Sequence, residues 1–190
     1  AVEACYAYEV IKNFSVSATF KYLFSDMGRI GNSRGASSVA FDLGVLYKCE
    51  INDWEGAGWS VGLHVSNLGP KINYLTSKDA LPATVKVGGA ADLPFLQMHK
   101  LTLTADLGYR LSPADVQALS VSAGAEYAWR ELVMLRGGYH CGDKKKGDAS
   151  YATAGAGVEY AGVRLDFAWL FAGHEYLARN TFWVSLGYSF

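Results

Sequence analysis

No apolar run in the 190-residue sequence reaches the ~20 residues that a transmembrane helix needs. Charged or strongly polar side chains interrupt every stretch first, so helical membrane spans are excluded. Charge is scarce as well: Asp, Glu, Lys and Arg make up 18% of the chain and leave a net charge of -1. With no long basic tract to neutralise phosphates, a nucleic-acid partner is excluded. The single cationic run, Lys144–Lys146, is short and falls between strands, as a solvated loop tip does. Three cysteines, Cys5, Cys49 and Cys141, are odd in number and far apart. They match neither a disulfide framework nor a zinc-ligand spacing and are read as unpaired. Of only four prolines, Pro70, Pro94 and Pro113 fall in links, and Pro82 opens a strand, where a missing N–H does no harm. The segment 1–10 lacks the basic and apolar regions of a signal peptide.

What remains is a chain that is 51% hydrophobic, rich for a water-soluble protein, and whose apolar residues alternate with period two. Phe14, Val16, Ala18, Phe20, Tyr22 and Phe24 stand against Ser15, Ser17, Thr19, Lys21 and Leu23. Val39, Phe41, Leu43, Val45 and Tyr47 stand against Ala40, Asp42, Gly44, Leu46 and Lys48, so charge keeps to the second face. The same dyad recurs over 59–66, 83–88, 101–110, 119–130, 133–139, 152–160, 163–169 and 182–190. With the segment 1–11, the pattern predicts about eleven strands of roughly ten residues, the length that crosses a bilayer at a tilt.

The connections alternate in length. Short links are expected at 12–13, 93–98, 130–131 and 161–162, with a somewhat longer one at 52–58, and long links at 25–35, 69–81, 111–116, 140–148 and 171–179. Outer-membrane barrels alternate short periplasmic turns with long extracellular loops in this way, and the rhythm assigns the C-terminus to the periplasmic side. Trp and Tyr favour the two membrane interfaces. Trp59, Tyr127, Trp129, Tyr160 and Tyr188 fall at one set of strand ends, and Tyr22, Tyr109, Tyr139 and Trp169 at the other. The expected fold is all-β: a transmembrane antiparallel up-and-down β-barrel forming one domain over 1–190, with apolar residues toward lipid and polar residues toward a lumen.

Asp106, Glu126, Arg136, Glu159, Arg164 and Asp166 lie on the lumen side of consecutive strands, where acids and bases can meet. Paired carboxylates can perform acid–base catalysis, but barrel interiors are commonly braced by mutually neutralising ion pairs, and no nucleophile with an adjacent base is evident. The structural reading is adopted, and no enzymatic activity and no cofactor are expected. His140, Cys141 and Asp143 fall short of a metal ligand set. Gly155, Gly157 and Gly162 lie in an alternating strand with no helix to follow, unlike a phosphate loop. At the C-terminus, Phe182, Val184, Leu186 and Tyr188 alternate up to a terminal Phe190. This resembles the β-signal read by the barrel assembly machinery, implying insertion into a bacterial outer membrane.

Six stretches together resemble the PorV/PorQ family of outer-membrane proteins, within the wider class of FadL-like fourteen-stranded barrels. They are 21–26 (KYLFSD), 62–72 (GLHVSNLGPKI), 81–89 (LPATVKVGG), 136–139 (RGGY), 155–160 (GAGVEY) and 180–190 (NTFWVSLGYSF). The likeness implies a component of the type IX secretion system that receives secreted cargo by its C-terminal domains and passes it to the cell-surface attachment machinery. Its partners would be outer-membrane lipid, cargo proteins and secretion-system subunits. Relatives carry an N-terminal plug and further strands, so about eleven of an expected fourteen strands are present, and the sequence is expected to be the C-terminal part of a longer barrel. The alternative is a FadL-like transporter of hydrophobic small molecules. A soluble β-sandwich binding module is the third reading.

Overall fold

Alternating apolar and polar residues with β-branched and aromatic side chains favour extended backbone, and extended backbone dominates the computed structural model. It describes residues 1–25, 35–73, 78–173 and 180–189. Eleven strands form one antiparallel sheet: β1 (Val2–Ile11), β2 (Phe14–Ser25), β3 (Ala36–Glu50), β4 (Gly58–Leu68), β7 (Thr84–Phe95), β8 (His99–Arg110), β9 (Leu119–Trp129), β10 (Val133–Cys141), β11 (Tyr151–Tyr160), β12 (Val163–Ala172) and β13 (Phe182–Tyr188). Each strand lies beside the next large strand in the chain, giving a simple meander. Between β4 and β7 a small hairpin, β5 (Ile72–Asn73) and β6 (Lys78–Asp79), forms a separate two-stranded sheet that periodicity did not predict. Two single turns of 3-10 helix, at Ala114–Val116 and Lys144–Lys146, complete the described elements.

The short links are tight. Leu96 and Gln97, Arg130 and Glu131, and Ala161 and Gly162 each place two successive residues at positive φ. That is the pattern of type I′ turns, whose twist matches the strands they join. Leu132 N–H donates to Trp129 O at 3.0 Å to close the second of them.

Two compact units are distinguished, one comprising Ala1–Tyr47, Val61–Val87 and Gly108–Leu119, the other Lys48–Ser60, Gly88–Leu107 and Ser120–Phe190. In the first, β3 alternates without a break over its first half. Ala36, Ser38, Ala40 and Asp42 are buried, while Phe41 and Leu43, on either side of Asp42, are exposed. Ala40 is 0% and Asp42 6% accessible, against 49% for Phe41 and 52% for Leu43. In the second, Leu135, Phe171 and Val184 are likewise exposed. Among the described residues no large side chain is fully buried. The usual burial of apolar bulk is therefore largely inverted among the described residues: the buried positions are mostly small, with Leu81, Met134 and Leu170 the large apolar exceptions, and most large apolar side chains are exposed. All three cysteines are free thiols, as the sequence predicts.

Candidate functional site

In the first unit the enclosed polar face carries a cluster built around a buried ion pair. Lys21 Nζ on β2 sits 2.6 Å from Asp42 Oδ2 on β3. The other oxygen, Asp42 Oδ1, accepts from the Asn67 backbone N–H at 2.8 Å, and Lys21 also donates to Asn67 Oδ1 at 3.3 Å. Both carboxylate oxygens are thus satisfied, as a buried charge requires. Asn67 adopts φ +58°, a left-handed conformation that Asn tolerates better than most residues. From there the chain leaves β4.

That segment, 69–83, is secured through its own carbonyls. Ser38 Oγ donates to Pro70 O at 3.1 Å, Asn67 Nδ2 donates to Pro82 O at 3.1 Å, and Leu111 N–H donates to Ala83 O at 2.8 Å. Gly69 approaches β3 so closely that a Cβ there would collide with Val39 O. Leu81 and Ala83, at its far end, are themselves buried. Three stretches singled out for their resemblance, 21–26, 62–72 and 81–89, therefore converge here through Lys21, Asn67, Gly69, Pro70 and Pro82. Alternation had placed Lys21 and Asp42 on the polar face but not in contact. The recurrence of Asn, Gly and Pro at the end of β4 was the available signal.

The second unit carries the charges expected to form a polar network, and five of the six are joined. Arg136 on β10 is ion-paired through Nε with Glu126 on β9, directly opposite it in register. Its Nη1 lies 2.5 Å from Asp166 Oδ1 on β12. Asp166 Oδ2 in turn accepts from Arg164 Nε at 2.8 Å, and Arg164 Nη1 lies 3.7 Å from Glu159 on β11. The Arg136–Asp166 contact passes over β11 at Gly157, where a Cβ would lie 2.5 Å from Asp166 Oδ1. Asp106 joins none of these pairs. A smaller group closes the same face toward the end of β7: Asp92 accepts from Thr102 Oγ1 at 2.7 Å and pairs with Lys100 at 3.2 Å.

At the other end of β10, His140 bridges two elements. Its Nε2 lies 3.0 Å from Asp148 Oδ1 and its Nδ1 3.0 Å from Ser122 Oγ. An ionised carboxylate only accepts, so Nε2 carries a hydrogen toward Asp148, while Nδ1 meets the Ser122 hydroxyl, which can serve as donor or acceptor. The imidazole stacks on Tyr151 with centroids 4.8 Å apart. This Ser–His–Asp chain, absent from the sequence reading, closes a turn: Gly142 N–H donates to Ser150 Oγ, tying the two sides together. Among the described residues no group of three His, Cys, Asp or Glu side chains could hold a metal ion.

Phe182, Val184, Leu186 and Tyr188 all lie on β13 and are exposed, Leu186 at 75%. Phe190 lies outside the described residues.

An antiparallel meander with large apolar side chains exposed on one face and ion pairs on the other is consistent with a β-sheet protein of the outer-membrane type. The family can be stated more narrowly. A family model described as type IX secretion system protein PorV matches residues 1–117, and the chain belongs to this family of secretion-system components. The matched range contains the whole Lys21–Asp42–Asn67 cluster and the segment it anchors. No curated protein matches the chain.

Proposed function

We propose that this protein is a non-enzymatic outer-membrane component of the type IX secretion system, built as a FadL-like up-and-down barrel. It receives secreted cargo by its C-terminal domains and passes it to the surface attachment machinery. The observation that carries the reading is the inverted polarity of the strands together with family membership over residues 1–117. Large apolar side chains such as Phe41, Leu43 and Leu186 need an apolar surrounding, and lipid supplies one. The ion pairs of Glu126, Arg136, Glu159, Arg164 and Asp166 then brace the wall from the lumen side, with Asp106 beside them as a further lumen-facing charge. Phe182, Val184, Leu186, Tyr188 and Phe190 present the insertion signal to the barrel assembly machinery.

Affinity recovery of the full-length protein from detergent-solubilised membranes tests this. Cargo and translocon subunits should be recovered with it, and its deletion should strand cargo in the periplasm. Recovery of the protein alone, with loss of uptake of a hydrophobic small molecule on deletion, would assign it instead as a transporter. Release into buffer without detergent would remove it from the membrane altogether.

A further inference from the structure

On the apolar face of the second unit the strands differ sharply in side-chain size. Across one row of the register, Ala125, Gly137 and Ala154 from β9, β10 and β11 meet Trp169 and Phe182 from β12 and β13. The row above pairs Tyr139 with Ala152 and Ala152 with Phe171. The row below pairs Leu135 with Ala156 and Ala156 with Phe167. Small residues on β11 thus lie beside a wall of aromatics, in which Trp169 stacks on Phe171 and on Phe182 with centroids 6.1 Å apart. The result is a furrow of about 420 Å³ lined by Ala154, Gly155, Ala156, Phe167, Trp169 and Phe171.

The loop joining β10 to β11 at the end of this furrow is built to hold positive charge in place. Lys144–Lys146 form one 3-10 turn, in which the Asp143 side chain accepts from Lys145 N–H at 3.0 Å and Gly147 takes φ +76°. The base is clamped by His140 on Asp148 and by Ser150 on Gly142. All three lysines are exposed.

We propose that furrow and turn are one binding site for a phosphate-bearing anionic lipid, its acyl chain along β11 and its head group at Lys144, Lys145 and Lys146. The inference rests on the membrane reading above. From Ala156 to Ala152 the furrow follows about 13 Å of strand at ~3.3 Å per residue, comparable with half of a ~30 Å hydrocarbon core. A chain lying there has its head at the strand ends, level with Tyr139 and Phe171, where interfacial aromatics sit. The apolar lining matches the acyl chain, and the lysines carried on the ordered turn match the phosphate. Each lysine near an anionic surface strengthens attachment roughly fivefold.

Tryptophan quenching tests the site. The full chain is reconstituted in phosphatidylcholine vesicles containing a minor fraction of either phosphatidylglycerol or phosphatidylcholine brominated on its acyl chains. The Trp169 signal is taken as the difference between wild type and Trp169→Phe. Phosphatidylglycerol should quench that signal several-fold more than labelled phosphatidylcholine at equal fraction. Combined Lys144→Gln, Lys145→Gln and Lys146→Gln should abolish the preference, and the three Arg substitutions should keep it. Equal quenching by both labels overturns the proposal while leaving membrane residence intact, and dependence of that quenching on protein-to-lipid ratio would give the furrow to a second copy. No quenching by either label overturns membrane residence and the lipid site together.

Discussion

Arg136 on β10 reaches over a whole strand to Asp166 on β12, with Nη1 2.5 Å from Oδ1. Adjacent strands are spaced about 4.8 Å apart, so the guanidinium needs unobstructed space above β11. Gly157 provides it, standing opposite both Met134 of β10 and Asp166 of β12 in the register.

Substituting Gly157→Val should therefore break the bridge rather than simply crowd the strand. The added Cβ would meet Asp166 Oδ1 at 2.5 Å and Arg136 Nη1 at 3.3 Å. A loss of about 1–3 kcal/mol is expected from such overpacking. The urea midpoint of the protein folded in lipid vesicles measures it, and an unchanged midpoint would show that the bridge contributes nothing.

The links of the ladder should differ in strength. A double-mutant cycle on Arg136→Gln and Asp166→Asn should give a coupling of about 1–2 kcal/mol, because both partners are largely enclosed. The same cycle on Arg164→Gln and Glu159→Gln should give under about 0.5 kcal/mol. That pair is separated by 3.7 Å, with side chains 44% and 38% exposed.

Asp42→Ala should loosen the segment 69–83. The change leaves the Lys21 ammonium without its counter-ion and the Asn67 amide without its acceptor, which for a pair this deeply enclosed costs about 3 kcal/mol. Limited proteolysis should then cleave within 69–83 at a raised rate. Asp92→Ala, which breaks a more exposed pair, should leave that rate as in wild type.

A charge on either face of β8 distinguishes lipid from water. Leu103 is 43% exposed, so in a water-soluble sheet Leu103→Arg would be harmless. Facing hydrocarbon, it should cost about 2–4 kcal/mol near the midplane. Thr104→Arg, on the opposite face, should fold with a much smaller penalty, and equal tolerance of the two would argue against membrane residence.

Combined Leu186→Ser and Tyr188→Ser should impair membrane insertion. Both side chains are exposed on β13 and contribute little packing, so a folding defect alone would be small. Fractionation should find the variant outside the membrane fraction. Normal recovery in the outer membrane would exclude an insertion role for these positions.

Period-two alternation made the strands legible because it is a local property: each side chain's face follows from its neighbours. The eleven strands of the large sheet fall in the expected segments, although β7 runs on to Phe95 and takes in Pro94, which had been assigned to a link, and the free thiols agree as well. Turn positions were harder to read. Leu96–Gln97 and Arg130–Glu131 adopt positive φ without the Asn–Gly or Asp–Gly pair that usually announces such a turn, so only the break in periodicity marked them. The hairpin β5–β6 is too short to show a period at all. Contacts across strands depend on register, which alternation does not specify. Thus Lys21, Asp42 and Asn67 were individually visible but not as a cluster, and neither was the chain from Ser122 through His140 to Asp148. Arg136 and Asp166 were assigned to one face, yet their partnership depends on the absence of a side chain at Gly157.

The fastening of the segment 69–83 has a consequence for how the protein can diverge. Its described supports grip the carbonyls of Pro70, Pro82 and Ala83, which every amino acid carries. Side chains at those three positions can therefore change while the backbone path and the bracket beneath stay the same, and lineages are free to retune this stretch without redesigning the wall that carries it.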